Sequence, residues 1–406
     1  MNKKLLLPAF FVFSGMAIFA QDANKTYAIT GDGNGDFLWM NIRQVNIGSG
    51  KVEKAIYTRD QTAFVLKDVN SKKGAAISKE LTAPTSSMVA AAAYDKKHGK
   101  LFFTPMRLDE LRWLDIAAGG ETKQFYSLNS FSGGNLADEA NHITRMVINA
   151  DGYGYAITND ANHLIRFSTG KNIVVEDLGN IIDADVSAGY SIHNKCTSWG
   201  GDMVADAYNK LYIISASHQV FVVNVGTRVA TYKGAITELP GNFTTNGAAV
   251  DADGNIVVSS ANSFSGYYKV NLNDLKAIYI EGSDKLYNAS DLANGNLLLE
   301  KEANIAKSIG TASLPILAPM VEGRVFPNPV TANECKVSLD GIATGKYQIV
   351  ITDLSGRNIL SKSIQAVGKG QVETIKLSSQ MAKGMYLVKI TDAAGQTIVT
   401  ERIVVQ

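Results

Sequence analysis

The sequence predicts an all-β protein in which a β-propeller is followed by a small Ig-like β-sandwich. Three observations predict this fold class. Short apolar strands recur in pairs joined by Gly, Asn or Asp turns, no long stretch shows a 3.6-residue period, and a proline cluster precedes a second series of strands. The 406 residues are 46% hydrophobic and 19% charged, which is typical of ordered globular domains.

Composition also excludes several classes of protein. The formal net charge of +1 argues against a nucleic-acid partner. The two cysteines, Cys196 and Cys335, provide neither a disulfide scaffold nor a thiolate zinc site. No zinc-protease, P-loop or nucleophile-elbow motif occurs, so the sequence indicates no metal, no cofactor and no recognisable catalytic machinery.

The first 20 residues have the pattern of a secretory signal peptide. Lys3 and Lys4 precede an apolar run over residues 5–19, and Ala20 stands before a polar segment. Pro8 interrupts the run, which is shorter than the roughly 20 residues that span a bilayer. We therefore expect residues 1–20 to be removed on export, and a retained membrane anchor is the alternative.

Residues 21–302 contain an internal repeat. Its unit is an apolar strand, a polar turn and a second apolar strand, and the second strands begin at intervals of 54, 56, 45 and 41 residues. The five strand pairs are 88–94 with 101–103, 146–148 with 155–157, 203–205 with 211–214, 248–250 with 256–258, and 289–293 with 297–299.

Two further strands follow most of these pairs, and four strands per repeat are typical of a propeller blade. Residues 26–58 supply strands that would complete the last blade and close the ring. We favour six blades, with five or seven as alternatives, because residues 59–87 are either an insertion or extra strands. A sandwich of two larger sheets is the competing architecture.

A linker is predicted at residues 303–323. Four of the eight prolines lie at positions 315–329, and basic residues outnumber acidic residues after this point, whereas the reverse holds before it. Residues 324–406 form six or seven short alternating strands with turns at 353–357 and 392–395, as in a small β-sandwich.

The C-terminal segment resembles a known family. Phe-Pro-Asn-Pro at 326–329, Asp-Leu-Ser-Gly-Arg at 353–357 and Lys-Gly-Met-Tyr-Leu-Val-Lys-Ile at 383–390 occur in the order found in the type A C-terminal sorting domain of type IX secretion cargo. The positions that match this motif are Pro327, Asn328, Pro329, Gly356, Gly384 and Tyr386.

The resemblance implies a route of export. Proteins with this domain use the general secretory pathway, fold in the periplasm and cross the outer membrane of Bacteroidota-type bacteria through the type IX machinery. The sorting domain is then typically removed, and the passenger is released or attached to surface lipopolysaccharide. The alternative is an accessory sandwich that stays on the mature protein and binds a surface or carbohydrate.

Polar residues at the starts of the innermost strands are the candidate ligand site. In a propeller these starts converge at one mouth of the central channel, so we expect Arg145, Asp202, Asn246 and Asp291 to form a polar ring there. The alternative is that the buried Asp and Arg residues hold neighbouring blades in register.

The loop at 189–199 contributes two more candidates, His193 and Trp199. An aromatic face beside carboxylates suits sugar or peptide recognition, whereas a Trp that only packs between blades is the alternative. Asp32 to Asp36 resembles half of a calcium loop, but position 37 is Phe37 where glycine is expected, so a plain turn is favoured.

These residues leave several functions open. A secreted or surface-attached propeller that binds a carbohydrate or protein without chemistry is favoured because catalytic motifs are missing. A polymer-degrading hydrolase or lyase is the alternative, with Asp202 or Asp291 as acid or base and Arg145 holding an anionic group, and it requires two carboxylates about 5–10 Å apart in an open cleft. A purely structural surface protein is a third reading.

Overall fold

The computed structural model describes residues 23–33, 35–70, 83–187, 189–311, 325–339, 342–353, 357–368, 370–378, 381–393, 395 and 397–406. The predicted signal peptide, most of the predicted linker and Gly356 lie outside these ranges. The chain divides into two compact units, one ending at Ala303 and the other beginning at Asn304. Each is described by itself below.

The first unit consists of short strands. They are β1 (Lys25–Thr30), β2 (Asn41–Asn46), β3 (Lys51–Tyr57), β4 (Phe64–Asp68), β5 (Val89–Asp95), β6 (Lys100–Pro105), β7 (Glu110–Asp115), β8 (Lys123–Asn129), β9 (Ile143–Ile148), β10 (Gly154–Thr158), β11 (Leu164–Phe167), β12 (Val175–Asp177), β13 (Ile182–Asp183), β14 (Asp202–Ala205), β15 (Lys210–Ile214), β16 (Gln219–Asn224), β17 (Val229–Ala235), β18 (Gly247–Val250), β19 (Ile256–Ser259), β20 (Tyr268–Val270), β21 (Ala277–Tyr279) and β22 (Ala289–Ala293).

These strands form five sheets within the described residues. Sheet one has the order β22-β1-β2-β3, sheet two β4-β8-β7-β6-β5, sheet three β12-β11-β10-β9, sheet four β13-β17-β16-β15-β14, and sheet five β18-β19-β20-β21. The innermost strands β22, β5, β9, β14 and β18 contact one another in that order, and β18 contacts β22 again. The predicted β-propeller is therefore confirmed as a closed ring of five blades.

The blade number differs from the favoured six, and residues 59–87 are the reason. Their described part adds only β4, which pairs in parallel with β8 as the outermost strand of sheet two. A strand that extends an existing blade creates no new innermost strand, so the ring closes at five.

Sheet one joins the two ends of the unit, as predicted. Innermost strand β22 pairs with β1, with Tyr27 opposite Ala293 and Ile29 opposite Asp291. The strand predicted at 297–299 is wrong: Leu298 makes an isolated parallel bridge to Asp206 instead. In sheet one β1 occupies the position beside β22 that this strand would have taken.

An Asp or Asn follows or ends every innermost strand. The five residues are Asp95, Asn149, Asp206, Asp251 and Asn294, and each side-chain oxygen accepts a hydrogen bond of 2.8–3.2 Å from an amide one or two residues later. In sheets two to five these turns reverse the chain locally and lead into the second strand of the blade, whereas in sheet one the second strand is β1 and the turn at Asn294 leads only to Leu298. They are the physical basis of the repeat seen in the sequence.

Among the described residues, two α-helices accompany the strands, the one-turn α1 (Lys195–Ser198) and α2 (Glu300–Thr311), and single 3-10 turns lie at Glu139–Asn141 and Asp185–Ser187. Helix α2 occupies the start of the predicted 303–323 linker. The segment has Glu300 and Glu302 in the first turn, where acidic residues favour a helix, and its first proline is Pro315.

The second unit is a two-sheet sandwich, as predicted. Its strands are β23 (Val325–Phe326), β24 (Glu334–Ser338), β25 (Gly345–Asp353), β26 (Asn358–Ala366), β27 (Val372–Lys376), β28 (Gly384–Asp392) and β29 (Thr397–Val405). One sheet has the order β23-β24-β27 and the other β26-β25-β28-β29. Alternate residues such as Val337, Ile349, Ile351, Val388 and Ile390 are buried between them.

We predict that the joint between chain ends stabilises the ring. Ile29 on β1 is fully buried, and Ile29→Ala should lower the free energy of unfolding by roughly 2–5 kcal/mol because it leaves a cavity. Ile278→Ala is the matched control, since Ile278 lies on β21 with 68% exposure, and its effect should stay within about 0.5 kcal/mol.

Denaturant unfolding followed by tryptophan fluorescence measures this difference. All three tryptophans, Trp39, Trp113 and Trp199, lie in the first unit, so the signal reports on the propeller. Equal losses of stability in the two variants would contradict a closing role for β1.

Candidate functional site

An open cavity of about 380 Å³ lies at the mouth of the channel where the innermost strands begin. Each blade contributes one residue to it at the equivalent strand position: Ala90, Thr144, Gly201, Asn246 and Ser290. At the other end of the channel, residues such as Met146, Val204 and Leu292 leave a void of only about 10 Å³. The accessible site is therefore on the strand-start face.

Three of the four predicted ring residues do not line this cavity. Arg145, Asp202 and Asp291 follow the lining residues by one position and are 0%, 1% and 0% exposed. Successive side chains of a strand point to opposite faces, so a shift of one residue moves a side chain from the mouth into the interior. The predicted polar ring is wrong for these three residues, whereas Asn246 lies at the mouth as expected.

Arg145 binds the neighbouring blade. Its Nε donates to the carbonyl oxygen of Gly200 at 3.0 Å, and Nη2 donates to that of Ser198. Burial lowers the pKa of Arg145 to about 10, although the nearby Asp202 opposes the shift. The guanidinium therefore joins sheets three and four.

Asp202 makes the next connection around the ring. Its carboxylate accepts hydrogen bonds of 2.7 Å from the amides of Met203 and Ala248, the latter on sheet five. Burial raises the pKa of Asp202 well above its usual range, and the backbone donors oppose this shift. The position suits a structural carboxyl group.

Asp291 is buried with weaker donors. Neither of its carboxyl oxygens accepts a hydrogen bond of ordinary geometry from the described residues, although the nearby amide of Ala92 partly opposes the rise in its pKa. Burial, followed by the neighbouring Asp202 carboxyl, raises the pKa of Asp291 well above its usual range. The two carboxyl groups therefore retain protons more readily than exposed aspartates do.

The burial of both carboxyls removes the basis of the predicted hydrolase. A polymer chain has no access to Asp202 or Asp291. Arg145 donates hydrogen bonds to main-chain carbonyls and does not face an open cleft. The acid–base assignment to these residues is wrong because they lie inside the ring and not at its mouth.

His193 anchors the loop between sheets three and four, and Trp199 ends the one-turn helix α1 of that loop. The ring nitrogens of His193 lie 2.5 Å from the carbonyl oxygen of Asp160 and 2.9 Å from that of Ile181. The Lys195 ammonium lies 4.7 Å from the ring centroid of Trp199. Neither His193 nor Trp199 is among the described residues that line the cavity, so their role in binding stays a prediction.

Sequence reasoning missed several residues of the cavity. Trp39 precedes β2, and Arg107 lies in the turn between β6 and β7 with a φ of 66°. Arg107 is exposed, and its guanidinium has no hydrogen-bond or ion-pair partner among the described residues. Thr144 and Ser290 were one residue from predicted positions, and strand alternation was the signal that could have identified them.

Asn246 has a free donor at the mouth. Its Oδ1 accepts hydrogen bonds from Thr244 Oγ1 at 2.5 Å and from the amide of Ala261 at 2.9 Å. No described residue pairs with its Nδ2. These bonds orient the amide so that its donor remains available.

The acidic loop at 32–36 is held by its own hydrogen bonds. Asp32 accepts from Arg59 at 2.9 Å and from Asn41 at 2.6 Å, and the Asp36 carboxylate accepts from the amides of Asp32 and Leu38. Asn34 lies outside the described residues. The contacts are those of a hydrogen-bonded turn.

In the sandwich, three of the motif residues contact the last strand, β29. Asn328, between Pro327 and Pro329, donates from Nδ2 to the carbonyl of Arg402 at 2.8 Å and accepts from the amide of Val404 at 3.0 Å. Gly384 and Tyr386 pair with Val405 and Ile403 on the same strand.

Residues 324–406 match the secretion system C-terminal sorting domain. The predicted resemblance is thereby confirmed, and this segment is a type IX sorting domain. It directs export across the outer membrane to the cell surface or the extracellular space. None of the described helices has the length and apolar character needed to cross a membrane.

Comparison with solved structures gives distant matches. PorZ, an essential surface component of the type IX secretion system of Porphyromonas gingivalis, is 16% identical with a TM-score of 0.33, covering 94% of this chain and 51% of PorZ. This chain thus spans about half the length of PorZ.

Two further matches cover about two thirds of this chain. A streptogramin B lyase is 14% identical, with a TM-score of 0.36 and coverage of 68% of this chain and 89% of the lyase. A chain of the nidogen/laminin complex is 10% identical, with a TM-score of 0.35 and coverage of 66% and 97%. No curated protein sequence matches the chain.

We predict that Asp291 makes propeller stability depend on pH. Because its pKa is raised in the folded state, its contribution to stability is fully present below the ordinary value of 3.8 and is lost as pH rises through the folded-state pKa. Asp291→Asn removes this titration, so its stability relative to the original chain should increase from pH 4 to pH 8, by about 1.4 kcal/mol per unit of pKa shift.

Denaturant unfolding across this pH range, followed by tryptophan fluorescence, measures the effect. Asp60→Asn is the control, because the Asp60 side chain is 79% exposed and its replacement should leave the pH profile nearly unchanged. Parallel profiles for Asp291→Asn and the original chain would show that the buried carboxyl does not titrate as described.

Proposed function

We propose that the propeller is a ligand-binding module displayed outside the cell, with a carbohydrate or protein ligand bound in the cavity at the strand-start mouth. The observation that carries this proposal is the cavity itself, where donors of Arg107 and Asn246 remain without partners among the described residues. A cavity of about 380 Å³ with a few convergent polar groups has the size and character of a small-ligand site.

Apolar side chains on the same face add contact surface. Phe37 and Leu38 are 46% and 41% exposed and immediately precede Trp39, which lines the cavity. The ring of Phe37 packs against Phe264 with centroids 5.8 Å apart. Aromatic faces beside polar groups suit sugar C–H surfaces or apolar side chains of a protein.

The buried charges support recognition rather than chemistry at this site. Arg145 and Asp202 are bound to the main chain of neighbouring blades, so they position the strands whose first residues line the mouth. In this proposal the interior provides rigidity, and the ligand contacts only the residues at the mouth.

The segments on either side of the propeller direct its export in this proposal. Residues 1–20 act as a signal peptide for the general secretory pathway in a Bacteroidota-type bacterium, and residues 21–302 form the passenger. Residues 303–323 link it to the sorting domain at 324–406. Removal of that domain then releases the passenger or leaves it attached to surface lipopolysaccharide.

Deletion of residues 324–406 should trap the passenger in the periplasm, because the sorting domain carries the signal for outer-membrane export. Fractionation of a type IX-secreting host that expresses the full or truncated chain measures this outcome. Resistance of the periplasmic protein to protease serves as the folding control. Surface or medium levels equal to those of the full chain would overturn the assignment.

Binding arrays of glycans and proteins test the ligand-binding role, with reducing-end and peptide-release assays on the same samples. Asn246→Asp keeps the oxygen that accepts from Thr244 and Ala261 but replaces the free donor, so it should weaken binding about tenfold. Asn273→Asp, at an exposed turn away from the cavity, is the matched control.

Binding that Asn246→Asp weakens and Asn273→Asp leaves unchanged supports the cavity as the site. If both variants bind as tightly as the original chain, the ligand binds outside this cavity. Turnover of a bound polymer would replace the binding function with an enzymatic one.

A further inference from the structure

Two hydrogen-bond donors of the cavity have no partner among the described residues, the guanidinium of Arg107 and the Nδ2 of Asn246. Trp39 also lines the cavity, but its indole Nε1 is fully buried, so a ligand in the cavity does not reach that atom. An Arg guanidinium can only donate. A ligand that satisfies these groups must supply acceptor oxygens.

The hydroxyl groups at the mouth complement these donors. Ser290 Oγ donates to the carbonyl of Val89 at 2.7 Å, Thr144 Oγ1 donates to Asn159 Oδ1 at 2.9 Å, and Ser87 Oγ donates to the carbonyl of Met106. Since each hydroxyl proton is already engaged, the oxygen is left to accept from a ligand. Ser290, at 4% exposure, is the least accessible of the three. These positions suit ligand hydroxyl groups.

The described lining carries one cationic side chain, Arg107, that is not paired with the one carboxylate, Glu139. Glu139 is the carboxylate among the described lining residues, but its side chain is 72% exposed and faces Lys195 at 3.8 Å. Arg107 has no counter-ion among the described residues. An arginine guanidinium binds a carboxylate through two parallel hydrogen bonds.

We propose that the ligand is an acidic glycan whose uronate carboxylate binds Arg107. Its hydroxyl groups then contact Asn246 and the oxygens of Thr144 and Ser290, and Trp39 contacts its apolar face. This inference rests on the ligand-binding function proposed above and deepens it. A hydroxyl-rich sugar fits the three acceptor hydroxyls better than an acidic peptide, which offers few hydroxyl donors.

The test uses oligosaccharides that contain galacturonate, glucuronate or mannuronate, each paired with its carboxyl-reduced form. The reduced sugar keeps its hydroxyl groups but lacks the charge. Neutral glycans and acidic peptides complete the panel. The affinity of the full secreted chain for each ligand is measured by calorimetry at two salt concentrations.

Three substitutions test whether Arg107 is the residue that binds the carboxylate. Arg107→Gln removes the cation, whereas Arg107→Lys keeps a cation without the two-pronged geometry. Arg166→Gln is the matched control, because Arg166 on β11 is paired with Glu176 and is not among the cavity residues. Thermal unfolding of each variant checks that the propeller remains folded.

We expect at least one uronate oligosaccharide to bind about tenfold or more tightly than its reduced partner, with affinity falling as salt rises. Arg107→Gln should abolish that preference, Arg107→Lys should restore part of it, and Arg166→Gln should leave it unchanged.

Other outcomes overturn the inference. Equal binding of uronate and reduced forms, or a charge preference that survives in Arg107→Gln, excludes carboxylate recognition by Arg107 while leaving the ligand-binding function intact. Binding of acidic peptides alone excludes a glycan ligand. If no member of the panel and no array component binds, both this inference and the proposed function fail.

Discussion

The fold depends on how each innermost strand binds the next blade. Closing five strands into a ring buries their polar groups, and side chains of one blade satisfy the main chain of the neighbour: Arg145 reaches sheet four, Asp202 reaches sheet five, and Ser290 reaches sheet two. At Gly247, which faces sheet one, there is no room for a side chain, since a Cβ at that position would lie 2.9 Å from the main-chain carbon of Asp291.

Successive residues on the innermost strands therefore have different roles. Thr144 and the largely buried Ser290 line the mouth, while Arg145 and Asp291, one position later, have no exposed surface. The residues that a ligand meets are therefore uncharged at most strand positions, and the unpaired charge comes from Arg107 on a turn. Recognition at the mouth relies on loops that are held by a rigid, polar interior.

Much of the fold could be predicted from the sequence because the patterns that specify it are local. The Asx residue after each innermost strand and the apolar strands around it predicted propeller blades, and the Pro-Asn-Pro segment predicted the sorting domain whose Asn328 binds the last strand. The blade number could not be predicted, because whether β4 starts a new blade or extends sheet two depends on its pairing with β8, in which Phe64 lies opposite Lys123, 59 residues later.

The sequence by itself determined the all-β class, the closure of the ring by its N-terminal strands and the sorting domain, since these follow from periodicity, turn chemistry and order along the chain. Only the tertiary structure decided the number of blades, the burial of Arg145, Asp202 and Asp291, and the place of Arg107 at the mouth. The reason is that burial depends on which strands become neighbours, and a shift of a single residue exchanges the solvent face for the interior.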